Sequence, residues 1–398
     1  MHRGVFAALS AVTVLCLTTI APAATAGAAP APATGYRDVH VCAATPVGSA
    51  GCSAIRRDPV APGATAQPRA TRPVGYVPED LRMAYDLESA NGDGATVAIV
   101  DAYDDPTAEA DLGVYRSEFG LPPCTTENGC FRKVSQTGSP TDLPIPDGGW
   151  AQEISLDVDM VSAICPDCRI LLVEGRSARF DDLAAAVRYA ASQPGVVAIS
   201  NSYGAPDFSD PLAAAYNQPG IAVTAATGDS GYGVSAPASF PTVIAVGGTA
   251  LQIGAAGVTE SAWSGAGSGC STLHVNPGYQ IGTGCPGKAE ADVSAVADPV
   301  TGVAVYDNFA FQGEAGWLRF GGTSVATPII AAVYAMGTAV RAGGYPGAFT
   351  WAHAGDATAL NDVTGGVNGV CPVILWCEAG RGWDGPTGLG SPRGTGAF

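Results

Sequence analysis

What most constrains the fold of this chain is a series of apolar runs that alternate with helix-length segments from Tyr76 onward. Residues 95–100 read Ala-Thr-Val-Ala-Ile-Val, and residues 169–173, 196–200, 221–225 and 243–246 repeat the pattern. Segments of helical composition lie between them, near 107–118, 150–163 and 181–191. Strands that are apolar on both faces do not sit on a surface; they belong in a parallel sheet covered by helices on each side. The expectation is an α/β fold built on one such sheet, in a single domain over 76–398. Hydrophobic residues make up 47% of the 398, enough for a sizeable core. No internal repeat is visible.

The N-terminus reads differently. A basic start at His2-Arg3, an apolar run over 5–20 and small residues around 24–28 predict a secretory signal over 1–28. No other segment is long and apolar enough to span a bilayer. Residues 29–75 are rich in Ala, Pro and Gly without apolar periodicity, and read as a short pro-segment or tail. Export makes the cysteines legible as disulfides. With Cys16 in the signal, ten remain in close neighbours: Cys42 and Cys52, Cys124 and Cys130, Cys165 and Cys168, Cys270 and Cys285, Cys371 and Cys377. Spacing does not fix the connectivity. Cys165-Pro-Asp-Cys168 also has the form of a redox motif or half a zinc site, but no second such pair accompanies it. Net charge is −17, and Lys133 and Lys288 are the only lysines, which argues against nucleic acid or an anionic membrane as partner.

Chemistry enters at Gly322-Thr323-Ser324-Val325-Ala326-Thr327-Pro328, a turn that opens onto an apolar helix expected over about 329–340. A serine there sits at the positive end of a helix dipole, where an anion or developing oxyanion is stabilised. Such a nucleophile needs a base. The four histidines, His2, His40, His274 and His353, lie in no motif that provides one. Carboxylates do. Glu153 and Asp157 are four apart in a helical stretch, so they share a face with Cβ atoms about 6 Å apart. Neighbouring carboxyls tend to share a proton, and their apparent pKa values separate. The bland alternative is a solvated acidic face. Asp229 follows the 221–225 strand, at the end where parallel sheets place ligands. Protonated, it can donate to an oxyanion; as Gly-Asp-Ser-Gly it is also an ordinary turn cap. Asp101, ending the first strand, reads as structural or site-lining.

The three acids and the Gly-Thr-Ser helix entry together resemble the sedolisins, serine-carboxyl peptidases with a subtilisin-like fold, over roughly 76–392. The resemblance implies Ser324 as nucleophile, Glu153 as base, Asp157 as its hydrogen-bonded partner and Asp229 as oxyanion donor. Gly321 stands where many relatives carry Ser. Asp362-Val363-Thr364-Gly365 and Gly380-Arg381-Gly382-Trp383-Asp384 offer the hard oxygen ligands of a Ca²⁺ site. The resemblance implies side-chain ligation by Asp362 and Asp384 and carbonyl ligation by Val363, Gly380 and Gly382. Ser202, Tyr203 and Gly204 end a strand where subtilisin-like folds hold substrate backbone, and residues 263–268 are candidates for the same groove.

Sedolisins usually carry a large folded prodomain, whereas fewer than fifty residues here separate the signal from the expected domain. The expectation is a secreted, monomeric, calcium-stabilised endopeptidase acting on peptides at acid pH. The alternative from another class is a calcium-binding pseudopeptidase that holds peptides without cutting them.

Overall fold

The structure, a computed structural model, describes residues 1–2, 35–42, 46–60, 72–209, 211–255 and 257–398. The segment read as a signal therefore lies outside the described residues apart from its first two. The expected parallel sheet is present. Its strands run in the order Gly257–Ala262, Ile244–Gly254, Ala222–Ala226, Val196–Asn201, Thr96–Ala102, Arg169–Gly175 and Phe131–Ser135, with Val293–Val296 also paired to Ile244–Gly254. Every pairing along that path is parallel except Ile244–Gly254 with Gly257–Ala262.

Successive side chains of a strand point to opposite faces, and the two faces have separate cores. Val97 and Ile99 pack with the helices Gly148–Ile164 and Thr323–Met336. Ala98, Val100 and Ala102 face the helix Phe180–Ala191. Both faces are thus dry, which is why the strands read as continuous apolar runs. The Gly148–Ile164 helix is buried along nearly all its length, so its carboxylates are not a solvated face. Its first turn is capped by Asp147, which accepts from the amides of Gly149 and Trp150, both at 3.0 Å. The C-terminal helix starts and stops earlier than its composition indicates. Thr323 and Ser324 already belong to it, and Gly337 ends it three residues short of 340.

The five disulfides join the cysteines that neighbour one another in sequence, including Cys165 with Cys168. The stretch read as a tail is structured where it is described. Gly35–His40 and Ile55–Val60 form an antiparallel ribbon. Ile55–Val60 also pairs with Glu314–Gly321, which in turn pairs with Val303–Phe311. Arg56 is buried and forks onto Asp58 at 2.6 and 3.0 Å while donating to Gln152 Oε1 at 2.7 Å. That last bond ties the ribbon to the helix that carries Glu153.

Candidate active site

The candidate residues converge at the carboxyl ends of the central strands. Gly322 turns the chain into the Thr323–Met336 helix with φ of 96°, a left-handed conformation that favours glycine. Ser324 is the second residue of that helix and is fully buried. Its Oγ donates to the Ser202 carbonyl at 3.1 Å.

Asp229 lies beside the helix start. Its Oδ1 accepts from the amide of Thr323 at 2.8 Å and from Thr323 Oγ1 at 2.9 Å. Its Oδ2 is buried and has no hydrogen-bond partner. Burial pushes the carboxyl up to about 7, against the opposing pull of the two Thr323 bonds. The turn-cap reading of Asp229 is partly right in geometry, but the amide it caps belongs to the serine helix.

Glu153 and Asp157 lie side by side, as their spacing predicts, and both are fully buried. Burial raises the Glu153 carboxyl well above the ordinary range, and Asp157 and Asp101 add to the effect. Ser324 lies near enough to hold that value down, although neither Glu153 oxygen has a partner in full hydrogen-bond geometry. Asp157 is likewise raised by burial and by Asp101, while Ser202, Glu153 and Ser200 oppose the shift. Ser202 Oγ donates to the two Asp157 oxygens at 2.8 and 2.9 Å.

Asp101 is the residue that sequence reasoning undervalued. Both its oxygens are buried without partners, and burial lifts it to about 8. It therefore makes a third member of the carboxyl group, brought there by the packing of its strand, on the face that carries Val97 and Ile99, against the helix Gly148–Ile164. No histidine appears among the groups that shift Glu153 or Asp157. His274 Nε2 donates to the Phe208 carbonyl, 2.9 Å away, and His353 Nδ1 to that of Phe349, also 2.9 Å away.

Of Ser202, Tyr203 and Gly204, only Gly204 lines a cleft of about 530 Å³, together with Ala205, Pro206 and Thr227–Ser235; Ser202 and Tyr203 are fully buried beside it. Tyr203 turns its ring into the core and donates to Asn201 Oδ1 at 2.8 Å, so this edge offers backbone rather than side chain. The chain itself lies along it. Gly51 and Cys52 pair antiparallel with Gly204 and Tyr203, and the amide of Ser53 donates to the Ser202 carbonyl at 3.1 Å. The Ser53 carbonyl accepts from the amide of Ser324 at 3.3 Å. Of the 263–268 stretch, the Gly265 carbonyl accepts from the amide of Gly231 and the Gly267 amide donates to Gly228, which fixes the Asp229 loop from behind.

The proposed calcium ligands share one loop cluster. Asp362 accepts from the amide of Gly382 at 3.2 and 3.1 Å, and Asp384 Oδ2 accepts from the amide of Gly380 at 3.1 Å. Asp384 is fully buried and is pushed up to about 7 by burial, with Asp362 adding to the rise. Two convergent carboxylates, one of them deep and without a cationic partner, suit a hard divalent cation in donor chemistry. A separate trio, Asp105, Asp111 and Asp307, also brings carboxylate oxygens within 4.8 Å of one another. Each of its members is hydrogen-bonded to donors of the protein.

A buried serine at a helix start, the neighbouring Asp229 and the buried carboxyls of Glu153, Asp157 and Asp101 thus gather at one end of a subtilisin-like sheet. Residues 148–367, more than half of the chain, match the Subtilase family, and the chain belongs to that family, in its sedolisin branch. It is 30% identical over 377 residues to kumamolisin of Bacillus sp. (strain MN-32), covering 83% of this chain and 64% of that protein. It is 35% identical over 179 residues to sedolisin of Pseudomonas sp. (strain 101), covering 41% of this chain and 29% of that protein. The chain thus spans less than two thirds of the length of these relatives. The solved structure of Pseudomonas sedolisin, a serine-carboxyl proteinase complexed with two molecules of pseudo-iodotyrostatin, has a TM-score of 0.69 at 27% identity. It covers 81% of this chain and 96% of that one. Sphericase, at 19% identity and a TM-score of 0.53 over 82% of this chain and 99% of its own, shares the fold.

Proposed function

We propose that this chain is an exported, acid-active serine-carboxyl peptidase that hydrolyses peptide bonds. The observation that carries this reading is the state of Asp229. One of its oxygens is tied to the serine helix and the other is buried and free. Its acidity, near 7, keeps it protonated in acid. In this reading Ser324 attacks the substrate carbonyl while Glu153 takes its proton in the fraction of molecules where Glu153 carries the charge, a fraction that burial, Asp157 and Asp101 reduce in acid. Asp157, held by Ser202, orients Glu153 and shares its charge. The Asp229 Oδ2 proton and the Ser324 amide face the oxygen of the tetrahedral intermediate. The proton on Glu153 then passes to the departing amine, and water completes the cycle through the acyl-enzyme. The cleft edge Ser202-Tyr203-Gly204 binds the substrate backbone as an added strand.

Asp362 and Asp384 would hold Ca²⁺ by side chain, and Val363, Gly380 and Gly382 by carbonyl. The ion would supply no chemistry to the reaction; it would cross-link the C-terminal loop. Export is supported by the apolar N-terminal run and by the five disulfides. Among the described residues no helix is long and apolar enough to cross a membrane. The substrates are peptides or unfolded proteins, the net charge of −17 disfavours nucleic acid, and the protein acts as a monomer.

The decisive experiment follows hydrolysis of a denatured protein between about pH 3 and 8, with Ser324→Ala alongside. Hydrolysis confined to the acidic side, and reduced about 10⁶-fold by Ser324→Ala, is expected. Undiminished hydrolysis by Ser324→Ala would sink the mechanism. Peptide binding without turnover by the unaltered chain would mark a pseudopeptidase.

A further inference from the structure

A second cavity, of about 440 Å³, is built from the C-terminal part of the chain and shares nothing with the site around Ser324. None of Ser324, Glu153, Asp157 and Asp229 borders it. Its floor is apolar: Trp351 from the helix Pro346–Ala352, Leu360, Trp383 and Leu389 are all buried, and Leu375 is half-buried. Both indole N–H groups are spent inside the protein. Trp351 donates to Asp292 Oδ1 and Trp383 to the Ala291 carbonyl, each at 2.7 Å. What the two tryptophans leave for the cavity is therefore ring carbon. Ile281, 80% exposed, stands at the rim. A Cβ on Gly355 or Gly382, which also border the space, would meet nothing within 4 Å, so the mouth is uncrowded.

Two opposite charges line this cavity without meeting. Arg381 is exposed and, among the described residues, joins no ion pair. Asp356 takes the amide and the hydroxyl of Thr358 on Oδ1, at 2.9 and 2.6 Å, and among the described residues nothing donates to its Oδ2. The other carboxylate at the wall, Asp362, already accepts from the amide of Gly382 with both oxygens. Opposite charges that border one space and do not reach each other suit a ligand that carries both. The same lining turns other classes away. A sugar would set most of its hydroxyls against leucine and tryptophan carbon with nothing to bond. A phosphate would meet two carboxylates for one guanidinium.

We propose that this cavity is a binding site for short peptides with free ends and an apolar side chain. The peptide carboxylate takes the planar fork of Arg381, and its ammonium takes Asp356 Oδ2. The apolar side chain covers Trp351, Trp383 and the leucines of the floor, removing their remaining surface from water. The volume lies in the range that small-ligand sites use, about 300–1,000 Å³. Free-ended peptides are also what peptide hydrolysis releases, yet the site does not rest on the peptidase reading, because no group in it is given a part in that chemistry.

The test titrates the dipeptide alanyl-phenylalanine into the full Ser324→Ala chain in calcium-containing buffer, followed by calorimetry. One site with a dissociation constant on the order of 1 mM or tighter is expected. Capping either end, as the N-acetyl dipeptide or the dipeptide amide, should weaken binding about three- to fivefold, the size of a surface charge pair. Arg381→Gln should weaken the free dipeptide by that factor and leave the amide unchanged. Asp356→Asn should do the same to the free dipeptide and leave the acetylated form unchanged. Ala354→Trp, at an exposed position of the wall, should fill the cavity and abolish binding while the melting temperature holds. No binding up to about 20 mM dipeptide would overturn the proposal. So would an affinity that Arg381→Gln and Asp356→Asn leave unmoved, or that survives Ala354→Trp, since the peptide would then sit elsewhere, the cleft beside Ser324 included. An amide that binds as well as the free dipeptide would reduce the site to one for simple amines and overturn it too. None of these outcomes measures hydrolysis, so the peptidase reading stands or falls separately.

Discussion

Two buried acidic trios lie close to one another in this protein, and they differ in a way that composition does not reveal. Asp105, Asp111 and Asp307 are satisfied by donors from their own surroundings: Thr107 and Ser155 for the first, the amide of Asn308 for the second, Gln152 and the amide of Phe309 for the third. In Asp101, Glu153 and Asp157 only the last is served, by Ser202, and four oxygens of the other two accept nothing. Buried acceptors are normally satisfied, because leaving one bare costs about 1–3 kcal/mol. A fold tolerates such a cost where the groups are needed for something other than stability. The comparison teaches that unspent acceptor capacity, more than acidity or burial, separates the trio proposed to react from the one that holds the scaffold.

The largest effect should come from neutralising one member of each trio. Glu153→Gln removes the proposed base and should lower kcat by about 10²–10⁴-fold. Asp307→Asn should leave kcat within about threefold at acid pH while altering thermal stability. Equal losses of turnover in the two variants would erase the distinction.

Asp229 extends the comparison to a single residue with one satisfied and one bare oxygen. Asp229→Ala should cost about 10²–10³ in turnover. Asp229→Asn retains a donor that cannot ionise, so it should keep more activity and lose the decline that sets in near pH 7. Identical pH profiles for Asp229→Asn and the unaltered chain would remove Asp229 from the oxyanion site.

Stability should fall as pH rises. Unfolded carboxyls release their protons near pH 4. In the fold Asp105 holds its proton to about 6, Asp101 and Asp307 to about 8 and Glu174 to about 9, all chiefly through burial. Between those limits the folded state binds more protons, so the stabilisation present at acid pH is lost as pH climbs through the folded values. A melting temperature lower at pH 8 than at pH 5 is expected from calorimetry in the Ser324→Ala chain; a rise would contradict the burial argument. Chelation should lower the melting temperature further if the Asp362–Asp384 loop holds calcium.

The smallest effect is the most discriminating. Asp101→Asn leaves two carboxyls to share a charge where there were three, and Asp101 raises Glu153. The acid limb of kcat should move down by up to about one pH unit, with KM little changed. An unmoved limb would return Asp101 to a structural role.

Much of this was legible in the chain. The parallel strands announced themselves because they are buried on both faces, and the disulfides joined cysteines that are neighbours in sequence. Glu153 and Asp157 share a helix face, so local periodicity sufficed to associate them. Asp101 was harder, since its nearness to them depends on its strand packing against a helix about fifty residues further along the chain. The ribbon at residues 35–60 was missed for another reason. Gly-Tyr-Arg-Asp-Val-His and Ile-Arg-Arg-Asp-Pro-Val carry little apolar pattern; their pairing rests on backbone bonds and on Arg56, whose partner Gln152 is 96 residues away. The helix beginning at Thr323 was expected six residues late, because the Gly-Thr-Ser turn looked like a prelude to it.

The two bonds from Thr323 to a single oxygen of Asp229 carry a consequence in terms of symmetry. A free carboxylic acid has two equivalent oxygens, and its proton divides its time between them. Thr323 removes that degeneracy by giving Oδ1 two donors to accept from, so the proton resides on Oδ2 before any substrate arrives. The localisation is worth only a factor of two, about 0.4 kcal/mol, but no proton has to change oxygen during the reaction. Since Thr323 is bonded directly to Ser324, the same residue that chooses the side of the proton also sets its distance from the nucleophile.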